Sequence, residues 1–69
     1  MIVVDARGLS CPEPVLLTKQ AIQAGKFPIQ VLLDTVTARE NVRRMAEFSG
    51  CVVQVSQQGD EFELVLRKK

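Results

Sequence analysis

The chain opens on an apolar run, Ile2-Val3-Val4, closed by Asp5, which predicts a short interior strand over residues 1–6. Over residues 12–24 the apolar positions change to helical spacing. Pro14, Val15, Leu17, Thr18, Ala21 and Ile22 fall on one face, and Lys19, Gln20 and Gln23 on the other. Leu16 is the one large apolar residue on the outward side. Gly25 stops this helix, and Lys26-Phe27-Pro28 is a short connection. Ile29, Val31 and Leu33 then alternate with Gln30 and Leu32 as a second strand that ends at Asp34. Thr37 followed by Glu40 has the pattern of a capping box and predicts a second helix over 38–49. Its inner stripe is Ala38, Val42, Met45, Ala46 and Phe48. Arg39, Glu40, Arg43, Arg44 and Glu47 face outward, with Glu40 to Arg44 and Arg43 to Glu47 expected to pair one turn apart. Gly50 ends the helix, and strands over 51–56 and 61–67 flank a hairpin turn at Gln57-Gln58-Gly59-Asp60.

The order is βαβαββ. A helix joins the first two strands, so they should run parallel with a right-handed crossover. The fold class expected is an α/β (α+β) two-layer sandwich: a four-stranded mixed sheet with both helices packed on one face. Ile29, Val31, Leu33, Cys51, Val53, Val55, Phe62, Leu64 and Leu66 should point toward the helices. The other face mixes Val3, Leu32, Val52 and Val65 with Gln30, Gln54, Glu61 and Glu63, a surface for water or for a partner.

Composition narrows the classes of function. Sixty-nine residues make one small core, so residues 1–69 are expected to be a single domain. A net charge of +1 advertises no long-range attraction to nucleic acid, and no aromatic residues are placed for base stacking. No signal peptide and no apolar run of membrane length is visible, and a cytoplasmic, reducing location is the expectation. Two cysteines without a histidine argue against a zinc site.

The chemistry concentrates in Arg7-Gly8-Leu9-Ser10-Cys11-Pro12-Glu13-Pro14. Cys11 falls at or next to a helix N-cap, where the free N–H groups of the first turn favour an anion such as a thiolate. Pro12 suits the first helical position and Pro14 the third, which leaves the N–H groups of Glu13 and Val15 to face the sulfur. The Glu13 carboxylate opposes the thiolate. Serine, threonine, aspartate and asparagine cap helices better than cysteine, so a purely structural Cys11 is the weaker reading. Asp5 and Arg7 are either turn residues or neighbours of the thiolate, with Arg7 stabilising its charge. Gly8 supplies backbone freedom. Cys51 alternates with Val53 and Val55 toward the core and reads as packing; a resolving role would need its Cα within about 7 Å of that of Cys11.

The stretch from Asp5 to Pro14 resembles the N-terminal signature of the TusA/SirA/YedF family of small sulfur carriers, a Cys-Pro-x-Pro motif behind an Arg-Gly-Leu turn. Asp34, Glu40-Asn41-Val42 and Gly50 extend the resemblance over nearly the whole chain, and toward the YedF-like branch in particular. It implies the same two-layer sandwich and a sulfurtransferase that accepts sulfur as a persulfide on Cys11 and passes it on. Asp5, Arg7, Gly8, Pro12, Glu13 and Pro14 would support that site. The resemblance implies no cofactor beyond the covalent sulfur. Implied partners are a donor such as a cysteine desulfurase or rhodanese and an acceptor such as a DsrE-like protein, in pathways such as tRNA thiolation, molybdenum cofactor assembly or sulfur and selenium metabolism. Leu9 and Leu16 are the expected apolar collar for a docking partner, with Arg7, Glu13 and Lys19 as its polar rim. The alternative is a non-enzymatic regulatory or interaction module in which Cys11 is structural and the open sheet face or the arginine-bearing helix does the binding.

Overall fold

Parallel pairing of the first two strands decides where everything else stands. The computed structural model describes residues 2–69, and the part of the first expected strand at Met1 lies outside them. Its elements are β1 (Ile2–Asp5), α1 (Glu13–Ala24), β2 (Ile29–Leu33), α2 (Val36–Phe48), β3 (Cys51–Gln58) and β4 (Glu61–Lys68). β1 lies parallel to β2, with Ile2 opposite Ile29 and Asp5 opposite Leu32. β4 inserts antiparallel between β2 and β3, giving the order β1-β2-β4-β3. Both helices cover one face, so the expected mixed four-stranded α+β sandwich is the observed one.

Burial follows the period-two pattern closely on the inner strands. Ile29, Val31, Leu33, Leu64 and Leu66 are fully buried, together with Val42 and Ala46 from α2. Phe62, the first inward position after the β3–β4 turn, lies under the Arg39 guanidinium, 4.8 Å from its ring centroid. Among the described residues Thr18 is the one buried polar side chain, and its hydroxyl donates to the Pro14 carbonyl at 2.8 Å. Gly25 and Gly50 take positive φ values of 71° and 87° after the two helices, where a side chain would strain the backbone.

Several expectations fail in detail, each for a local reason. First, α2 starts at Val36, capped by Thr35, whose hydroxyl accepts the Ala38 N–H at 3.1 Å. Thr37 therefore lies inside the first turn, and the capping box with Glu40 does not form. Second, Glu40 pairs with Arg43 at 2.8 Å and Arg39 at 3.3 Å, leaving out Arg44, while Arg43 also reaches Glu47 at 3.0 Å as expected. Third, Phe48 is 94% exposed; two residues past Ala46, it lies about 200° round the helix from the buried stripe. Fourth, Val55 is exposed on the core side. β3 is an edge strand whose burial fades along its length, from buried Cys51 through half-buried Val53 to exposed Val55, so its later part goes uncovered. Leu17, at the margin of α1, is also exposed, and Leu16 points outward as its phase requires. The hairpin turn itself is shorter than expected: the strands pair up to Gln58 and Glu61, leaving Gly59-Asp60 as its two central residues.

Candidate functional site

Because β1 and β2 are parallel neighbours, the chain leaves both at the same edge of the sheet, and both helices begin there. The connection after β1 runs through Ala6, which is fully buried and donates its N–H to the Leu32 carbonyl. Gly8 follows at φ 76°, and its N–H donates to the Asp34 carboxylate at 2.8 Å. This bond ties the β1–α1 connection to the β2–α2 connection. Gly8 thus serves both the turn's backbone geometry and a cross-connection.

Cys11 stands one residue further out than a cap. Pro12 is the N-cap and α1 begins at Glu13, so Pro14 is in the second helical position. The Glu13 N–H donates to the Ser10 carbonyl at 3.0 Å, not to the sulfur, and no side chain caps this end. Of the first-turn donors Pro14 has none, which leaves Val15. The Cys11–Pro12 peptide bond is cis. Cys11 is exposed and free, whereas Cys51 is buried, 7% exposed, and burial pushes its thiol pKa up.

Arg7 does not stand as a free cation beside the thiol. Its guanidinium grips Asp5 at 2.9 Å and reaches Glu61 at 3.2 Å, across the end of the sheet to the start of β4. Hydrogen bonding to Arg7 holds the Asp5 carboxyl at about 2, and these two acids raise the Arg7 pKa in turn. Asp5 and Arg7 therefore brace the connection that carries Cys11.

Between the starts of the two helices lies a groove of about 210 Å³, lined by Leu9, Ser10, Cys11, Pro14 and Val15 on one side and Thr35, Thr37, Ala38 and Asn41 on the other. Among the described residues, no carboxylate, amine or guanidinium lines it. Leu9 is half-buried against the core as well as facing this groove, so it folds inward and leaves Leu16, 50% exposed, as the outward leucine near the site. Sequence reasoning did not assign Thr35, Thr37, Ala38 or Asn41 to the site. The signal was present in the parallel β1–β2 pairing, which places both following turns at one edge. Among the described residues no group of three or more metal-ligating side chains occurs, and no helix is long and apolar enough to cross a membrane.

Comparison with known proteins adds to this geometry. A family model described as Sulfurtransferase TusA matches residues 2–68. A protein of Methanocaldococcus jannaschii, named "Putative sulfur carrier protein MJ0990", is 35% identical over 94% of this chain and 91% of its own length. The crystal structure of the SirA-like protein from Desulfitobacterium hafniense is similar throughout, with a TM-score of 0.86 and 30% identity over 100% of both chains.

Proposed function

Since the chain belongs to the TusA sulfurtransferase family, whose work is sulfur transfer, we propose that it carries sulfur as a persulfide on Cys11 and relays it between two protein partners. The observation that carries this reading is the contrast between its thiols: Cys11 is exposed at the mouth of the groove, and Cys51 is buried in the core.

The chemistry needs little else. The Cys11 thiolate attacks the outer sulfur of a persulfide on the donor, and the donor's cysteine leaves as a thiolate with the electron pair of the broken S–S bond. An acceptor thiolate later attacks the carried sulfur, and Cys11 is the leaving group. Such exchange depends on an accessible thiolate and a competent leaving thiol, with no general base. That suits a chain without histidine and a groove without carboxylates. Gly8, Asp5 and Arg7 hold the connection in place, and Pro12, Glu13 and Pro14 shape the helix start that presents the sulfur. Leu16 offers apolar contact to a partner, with Glu13 and Lys19 at the rim. The donor we propose is a cysteine desulfurase or rhodanese, the acceptor a DsrE-like protein, and no cofactor is required beyond the covalent sulfur.

Incubation with a cysteine desulfurase and cysteine, followed by intact mass and peptide mapping, tests this. One added sulfur atom, removable by reductant, is expected on the Cys11 peptide and is lost in Cys11→Ser. Sulfur that stays in Cys11→Ser, or maps to Cys51, overturns the proposal.

A further inference from the structure

The groove beside Cys11 is larger than the thiol requires. Its volume of about 210 Å³ compares with a water's share of the liquid, roughly 30 Å³, so a second sulfur fits inside with room to turn. A persulfide S–S bond is about 2.05 Å long, and rotation about the Cys11 side chain sends the outer sulfur either into solvent or into this groove. The outer sulfur of a persulfide ionises to a perthiolate, and an anion is costly in a low-polarity site unless donors meet it.

Among the described residues, no fixed charge is aimed there. Arg7 is held by Asp5 and Glu61, and Arg39 and Arg43 by Glu40. Asp34 accepts the Gly8 N–H, and Glu13 is exposed at the start of α1. Arg44 and Glu47 lie outside the lining of the groove. What the wall does contain is Asn41, one turn beyond Thr37 on the same stripe of α2. Its side chain is partly buried and makes no hydrogen bond to any described residue. An amide carries two N–H donors, and those of Asn41, accessible at the groove wall, are free to meet an acceptor that enters it.

We propose that this groove seats the outer sulfur of the loaded carrier, and that the Asn41 amide binds it there by donating to the perthiolate. The inference rests on the persulfide reading of Cys11 given above. A neutral donor suits a carrier, because it stabilises the anion without the grip of a salt bridge. The anionic sulfur resists attack by stray thiolates through charge repulsion. When a partner opens the groove and the sulfur takes a proton from solvent, the acceptor thiolate attacks it and the S–S electron pair leaves with Cys11. One sulfur moves with no net oxidation.

The test loads wild type and Asn41→Leu with inorganic polysulfide, which requires no docked protein. The outer sulfur is then alkylated with iodoacetamide across a pH series and read by peptide mass. Hydrogen bonds to charged groups are strong enough that the half-maximal pH should rise by about one unit in Asn41→Leu. The loaded sulfur should also be lost to glutathione several-fold faster. Asn41→Ala, checked for folding by circular dichroism, serves as the second variant should leucine not be accommodated. An unchanged pH profile in a folded variant overturns the inference. Failure of wild type to hold sulfur at Cys11 overturns the persulfide reading itself, so the two failures are distinct.

Discussion

Thr35 and Thr37 lie two residues apart at the start of α2, and only one of them caps it. The Thr35 hydroxyl takes up the Ala38 N–H, one of the donors that a helix start leaves without an intrahelical partner. Thr35→Ala should therefore cost about 1 kcal/mol of stability, and Thr37→Ala less than about half of that. Urea denaturation of the two variants checks the assignment, which fails if Thr37→Ala is the more damaging. Thr37 and Glu40 have the right spacing for a capping box, but β2 ends at Leu33, and Asp34 is then drawn into the bond with the Gly8 N–H. The chain enters its helix two residues earlier than the local pattern suggested. Cys11 shows the same sensitivity: a shift of one residue in the start of α1 moves it from cap to approach, and Ser10 takes the donor expected to face it.

At the scale of elements, ion pairs brace both the first connection and the outer face of α2. Asp5 and Glu40 are each held at about 2, against ordinary values of 3.8 and 4.5, chiefly by hydrogen bonds from Arg7 and Arg43. Both carboxyls have lower pKa values folded than unfolded, so between the two limits the unfolded chain binds more protons. Their contribution is fully present above about pH 5 and is lost as the pH falls toward 2. Asp5 is exposed and Glu40 partly so, which leaves both open to screening. Thermal unfolding from pH 7 down to 2 should show the loss, and it should be smaller in high salt. In Arg43→Gln the loss should shrink, because Glu40 then loses the main partner that lowers its pKa and keeps only Arg39. An acid limb unchanged by that substitution would mean that other carboxyls govern the behaviour.

For the whole molecule, the fold gathers three connections at one edge of the sheet: the one bearing Cys11, the cap of α2, and the start of β4 that supplies Glu61. A partner approaching Cys11 meets this edge and the outward side of α1, where Leu16 is half exposed. Leu16→Glu should slow sulfur transfer to or from a protein much more than it slows loading by a small donor. Parallel assays with polysulfide and with a cysteine desulfurase measure the difference, and equal effects on both would remove Leu16 from the docking surface. Phe48 lies at the far end of α2, about 20 Å along the helix from Thr35, and belongs to no such surface around Cys11.

The element order, the inward residues of β2 and β4, the burial of Cys51 and the position of Cys11 between strand and helix were all legible in the amino-acid sequence. Those features follow from period, from proline and glycine punctuation and from local donors, all of which act over a few residues. Tertiary structure alone decided the Gly8–Asp34 bond, the Arg7–Glu61 reach, the inward fold of Leu9 and the joining of Asn41 to Cys11 across one groove. Each of these joins segments far apart in sequence, brought together by the β1–β2 register and by β4 entering between β2 and β3. Residues exposed against their pattern, such as Val55 and Phe48, have the same origin. Alternation names the face a side chain points to, but whether a helix lies over that point depends on how two layers of unequal extent cross.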